Sequence, residues 1–194
     1  MLYRSYIRFS DMPSPIAHVA AGYAVYRIFR KALPVLEKAQ PAFVLVAAAA
    51  VLSLLPDLDA VVGVAAHDFG RFHNNITHSF TFGIVVALLT AMVVTSTKGK
   101  GIGMAWFLFV SACYSLHVVM DFFTAGRGVM ALWPFLSNRF ESPICFFRGV
   151  KWATGVWSSQ HLWTILNELL FVGVVALVMV LVERCRRTES RDSM

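Results

Sequence analysis

Five apolar segments, at about residues 15–33, 41–56, 79–96, 103–124 and 163–183, set the frame for anything this chain can become. Each is bounded by proline, glycine or charged residues, and about 20 apolar residues is the length at which a helix crosses the hydrocarbon layer of a bilayer. Backbone polar groups in that layer must be satisfied within the segment itself, so helix is the state these segments adopt. The expected fold is therefore all-α: a polytopic membrane bundle of about five helices. It forms a single domain over residues 1–194, with 1–14 as an N-terminal segment and 184–194 as a basic tail. Composition agrees, since 58% of residues are hydrophobic and only 14% charged, where a soluble domain carries about a quarter charged. His18, Tyr23, Tyr26, Arg27 and Arg30 interrupt the first segment, which is expected to lie partly in the interface.

The net charge of +6 points to membrane orientation rather than nucleic acid, because the basic residues sit mainly at the ends of apolar segments. Arg30, Lys31 and Lys38 precede the second segment, Lys98 and Lys100 join the third and fourth, and Arg184, Arg186, Arg187 and Arg191 follow the fifth. If all five helices span, these three groups share one side, predicted to be cytoplasmic in an inner (plasma) membrane. The opposite, periplasmic or extracellular side then carries segment 57–78 and a long loop, 125–162, with Arg71, Arg127, Arg139, Arg148 and Lys151. The N-terminal stretch lacks the apolar core and cleavage site of a secretory signal, so insertion is expected to use the mature helices. Cys113, Cys145 and Cys185 form no C-x-x-C pair, which argues against a thiolate metal site.

Against this apolar background the ionisable residues stand out, because they are costly in a membrane and usually functional. The second segment ends in Pro56-Asp57-Leu58-Asp59, where proline ends or bends the helix and two carboxylates follow. Two apart, they do not share a helical face, so one can ligate while the other bridges or orients. The run Arg71-Phe72-His73-Asn74-Asn75-Ile76-Thr77-His78-Ser79 precedes the third segment. On a continuous helix His73 and His78 would diverge by about 140°. They converge only if the chain bends, for which Asn74-Asn75 suits a turn and Thr77 a helix cap. In the fourth segment His117-Val118-Val119-Met120-Asp121 places an imidazole and a carboxylate on one face at i, i+4, suited to one ion or to a carboxylate orienting the histidine.

His18 lies among small residues that permit close helix approach. Glu168 is a candidate ligand or base inside the fifth segment, seven residues after His161, while His67 and Asp68 read as solvated. If the first helix starts on the non-cytoplasmic side, His18, Asp57, Asp59, His73, His78, His117, Asp121 and Glu168 all fall near that side. Imidazole and carboxylate without thiolate suit zinc, and also manganese or iron, and the number of ligands suits two ions.

Taken in order, Ala17-His18, Pro56-Asp57-Leu58-Asp59, His73-Asn74-Asn75-Ile76-Thr77-His78-Ser79, His117-Val118-Val119-Met120-Asp121 and Trp133-Pro134-Phe135 resemble the motifs of the YdjM family of membrane-bound, metal-dependent hydrolases. The family reads His-Arg-Gly where this chain has His73-Asn74-Asn75. The order of ligands is more distantly similar to that of zinc-dependent phospholipase C and P1-type nucleases, whose later H-x-x-x-E this chain lacks. The resemblance implies a phosphoesterase acting on a phospholipid or lipid-linked phosphate, with membrane lipid as partner. His18, Asp57, His73, His78, His117 and Asp121 would be metal ligands, Asp59 and Glu168 catalytic groups, and Arg71, Arg127 and Arg139 a phosphate clamp. Trp133-Pro134-Phe135, Trp152, Trp157 and Trp163 read as an aromatic belt. The alternatives are a metal or ion transporter using the same residues, and a membrane protein with a structural metal site; an intramembrane metalloprotease lacks its H-E-x-x-H here.

Overall fold

A computed structural model describes residues 15–66, 72–149 and 160–192. Its helices are α1 (Pro15–Ala32), α2 (Val35–Ala39), α3 (Ala42–Leu54), α4 (Leu58–Ala65), α5 (Phe80–Lys98), α6 (Lys100–Phe122) and α7 (Gln160–Asp192). Four stretches are long and apolar enough to cross a membrane: Ala42–Gly63, Phe80–Lys98, Lys100–Phe122 and Leu162–Arg184. Helix α1 is not among them, yet it packs against α3, α6 and α7 as a member of the bundle. Its close approach to α3 depends on Gly22, where a Cβ would meet the Ser53 hydroxyl and come within 2.7 Å of the Ala49 carbonyl oxygen. This is the backbone contact that small residues permit between membrane helices.

Proline does not end the second apolar segment. The chain tightens into a 3-10 turn at Leu55–Asp57, with Pro56 in its first positions, and continues as α4. Helices α5 and α6 form a hairpin across Gly99, with Gly83 fitted against the Tyr114 ring so closely that a Cβ there would lie 2.6 Å from Cδ1. A core of Val25, Leu36, Leu45, Ala49, Phe109 and Val110 joins α1, α2, α3 and α6. Ala17, Ala21, Met120 and Phe147 close the other end of α1.

The two ends of the bundle differ in chemistry. At one, Lys98 Nζ donates to the Ala39 carbonyl (3.0 Å), Arg30 pairs with Glu37 (3.1 Å), and Arg27 and Lys31 both pair with Glu183 of α7. Two of the basic groups expected on one side, those of residues 30–38 and Lys98, meet there. At the other end residues 123–149, which follow α6, form a folded cap. Val129 and Phe140 exchange both backbone hydrogen bonds at 2.9 Å, Ala125 N donates to Phe147 O, and Phe80 N at the start of α5 donates to Ala131 O.

Candidate metal centre

The functional side chains converge at the capped end. Helix α6 delivers His117 and Asp121 one turn apart, and the turn after α3 delivers Asp57. His78 comes from a 3-10 turn at Ile76–His78. His117 Nε2, His78 Nε2, Asp57 Oδ1 and Asp121 Oδ2 face one another. The separations are 3.2 Å between the two imidazole nitrogens, 3.5 and 3.1 Å from His78 to Asp57 and Asp121, and 3.5 Å from His117 to each. A cation with ligand bonds of about 2.0–2.1 Å in a tetrahedron requires ligand atoms roughly 3.3–3.4 Å apart. Five of the six edges of this cage therefore match the geometry of a bound ion.

Hydrogen bonding explains why the lone pairs point inward. His117 Nδ1 donates to the Ser53 carbonyl at 2.6 Å, which leaves Nε2 as the acceptor nitrogen. That carbonyl is open to a side chain because Pro56, three residues on, has no N–H to take it up in a 3-10 turn. His78 Nδ1 faces Asp59 Oδ2 at 3.1 Å, so its Nε2 likewise turns into the cage. The Asp121 carboxylate is buried, and both its oxygens lack hydrogen-bond partners even though three imidazoles lie within 3.5 Å. Such a group is costly unless a charge meets it, and a divalent cation fits that need. Burial opposes a charge on His78, but Asp121, Asp57 and Asp59 outweigh it and raise its pKa well above the ordinary imidazole value.

His18 adjoins the cage from α1. It stacks on His117 with ring centroids 3.9 Å apart, and its Nε2 lies 3.3 Å from Asp121 Oδ1. Asp59 and His73 form a second group around His78. Asp59 Oδ1 meets His73 Nδ1 at 2.9 Å, while Oδ2 meets His78 Nδ1 and accepts from the Thr77 hydroxyl at 2.7 Å. The bend that brings His73 and His78 together is real: Asn74 has a φ of 58°, in the left-handed region that asparagine tolerates better than most residues. The expected cap is corrected, however. Ser79, not Thr77, accepts from Phe82 N at the start of α5, because the Thr77 hydroxyl is committed to Asp59.

Arg139 reaches over this turn from the cap. Its guanidinium donates to the Asn74 carbonyl (2.7 Å), the Gly128 carbonyl (3.1 Å) and the Asn75 side-chain oxygen. Burial, with Arg127 nearby, lowers its pKa to about 10, and Asp59 works in the opposite direction. Its fork thus holds protein backbone, which leaves less of it for a phosphate clamp. Glu168 is fully buried on α7 but belongs to neither metal-competent group among the described residues; it lies one turn before Phe171, which packs on Ala17, Ala21 and Met120. Arg71, His67, Asp68, Trp152 and Trp157 lie outside the described residues, as does the side chain of His161.

Three residues of the centre were not singled out from sequence as its supports: Ser53, Thr77 in its actual role, and Tyr114, whose hydroxyl donates to the Thr77 carbonyl at 2.6 Å. The spacing of Ser53 to Pro56 is a readable signal for the first; Tyr114 has none, since its partner is 37 residues away.

No solved structure gives a significant match to this chain. Inner membrane protein YbcI of Escherichia coli (strain K12) is 29% identical over 136 residues, covering 67% of this chain and 77% of that protein. The family model described as YdjM inner membrane protein matches residues 12–189, an interval that contains every residue of the centre. Together with the apolar helices, these likenesses establish a multi-pass inner-membrane protein, and the chain belongs to the YdjM family.

Proposed function

We propose that this chain is a membrane-bound, metal-dependent hydrolase that cleaves a phosphoester of a phospholipid or lipid-linked phosphate at the bilayer interface, with its site on the periplasmic or extracellular side. The observation that carries the reading is the cage of His78, His117, Asp57 and Asp121, five of whose six edges, at 3.1–3.5 Å, match a tetrahedral cation. Mixed imidazole and carboxylate ligands at these spacings favour zinc, with manganese or iron as alternatives. A divalent cation held by these residues would supply an acidified water and offset charge on a phosphoryl oxygen.

The chain's own residues then have separable roles. His117 and His78 present fixed acceptor nitrogens, His18 steadies Asp121, and Asp59 holds the tautomer of His78 while gathering His73 and Thr77. Both Asp59 oxygens already accept hydrogen bonds, so a second ion at Asp59, His73 and His78 would displace them. The reading accordingly needs one ion, with the Asp59 group as support. Asp57 is the most exposed of the four ligands, its side chain at 19% against 0–2% for the others, so substrate approaches past it.

The test is metal analysis of the purified full chain followed by assay. About one ion per chain is expected, lost in His117→Ala. Phospholipids and isoprenoid phosphates should then release phosphate or a headgroup in a chelator-sensitive manner. Metal uptake into proteoliposomes with no hydrolysis of either lipid class would overturn the reading in favour of transport.

A further inference from the structure

A groove of about 670 Å³ runs along the flank of the bundle between α4, the turn at 72–78 and the start of α5. That size falls within the range of about 300–1,000 Å³ usual for ligand sites. Its walls include Leu58, Val62, Ile76, Phe82 and Val86. Leu58, Val62 and Ile76 are 55%, 52% and 41% exposed. Its polar lining comes from Asp59, Thr77 and Asn75. Asp59 is one hydrogen bond from His78, and His78 belongs to the metal cage.

We infer that this groove binds one hydrocarbon chain of a membrane lipid, entered sideways from the bilayer, and presents the polar end of that lipid to Asp59 and the cage. Its walls belong largely to two of the stretches able to cross a membrane, Ala42–Gly63 and Phe80–Lys98, so it is continuous with the surface those stretches turn to lipid. Apolar side chains exposed on such a surface are matched by hydrocarbon, which loses no hydrogen bonds on entering. The polar residues select the place and the polarity of binding. A second groove beside α1, lined by Pro15, Val19, Tyr23, Val46 and Ala50 among others, is almost wholly apolar and has no ionisable carboxylate. Of these two grooves, it is the α4–α5 groove that joins hydrocarbon to the ionisable residues of the centre. The substrate class deepens accordingly: the reading of a hydrolase is presupposed, and its substrate is a lipid bound by its tail, not a water-soluble ester.

The metal-loaded full chain is placed in nanodiscs of phosphatidylethanolamine and phosphatidylglycerol containing a trace of phosphatidylglycerol with a mid-chain diazirine, and the sites of photolabelling are mapped by mass spectrometry. Labelling of Leu58 and Val62 should exceed that of Leu177 and Val178, which are about as exposed on α7, by about tenfold, the ratio set by roughly 1.4 kcal/mol of preference, with Phe82 and Val86 of the groove labelled as well. Val62→Trp, which fills the groove from an exposed wall, should remove the excess without changing the bound metal. Groove labelling no greater than that of α7, or an excess untouched by Val62→Trp in a chain that retains metal, overturns the inference. The two readings fail separately: selective groove labelling without hydrolysis sinks only the enzyme reading, and hydrolysis without selective labelling sinks only the lipid-chain site.

Discussion

At the scale of single residues, the centre depends on groups that never touch the proposed ion. Asp59 fixes His78 through one oxygen and His73 through the other. Replacement of such a supporting carboxylate commonly costs about 10–100-fold in metal affinity while the ligands remain. Asp59→Ala is therefore expected to weaken zinc binding by that factor in a competition titration, whereas Asp121→Ala should lose stoichiometric metal. Arg139 supports the same turn through three acceptors that a planar fork can reach together. Arg139→Lys should resemble Arg139→Ala in lowering metal affinity, and full affinity in the lysine variant would show that charge alone suffices.

At the scale of elements, the placement of His18 is set by how closely α1 can approach α3. Gly22 has no room for a Cβ beside Ser53 and Ala49. Overpacking of this kind costs about 1–3 kcal/mol. Gly22→Leu should lower the thermal unfolding midpoint in detergent and, by pushing α1 outward, separate His18 from Asp121; an unchanged midpoint would mean that the helices are free to part. The period and bounds of α5 and α6 are legible in the sequence, as is the i, i+4 pairing of His117 with Asp121. The break after Leu54 is legible only as a break. Proline predicts a disturbed helix, and whether the chain stops or passes through a 3-10 turn into α4 depends on what packs around it. Helix α7, at 33 residues, outruns the apolar run at 163–183 on both sides; its polar ends are helical, although hydropathy marks only the middle.

At the scale of the whole molecule, the basic end and the metal-competent end are opposite. The first is tied by Lys98 to the Ala39 carbonyl and by Arg27 and Lys31 to Glu183; the second is closed by residues 123–149. In a cysteine-free background, cysteine at Lys100 should be labelled by a membrane-impermeant reagent from the cytoplasm, and cysteine at Ser137 only from the other side. Labelling of both from one side would contradict a bundle that spans between them. The exposed Leu132, Phe135, Leu136, Ile144 and Phe146 of the cap lie at the metal-competent end and suit contact with the bilayer interface there.

The sequence alone determined that this is a membrane helix bundle, because hydropathy and length act locally and every residue of an apolar run carries the signal. It also determined most of the candidate ligands, because ionisable groups in such a chain are too costly to be incidental. What the tertiary structure decided is how those ligands divide. His78 belongs to both groups, Asp57 joins the cage, and Asp59 falls in the other group with His73. Arg139 grips the histidine turn. Glu168 stays apart. Each of these outcomes depends on distances between residues 14 to 65 positions apart, such as His73 to Asp59 and Arg139 to Asn74. No local pattern encodes such distances; they follow only when close helix packing brings the turns to one point.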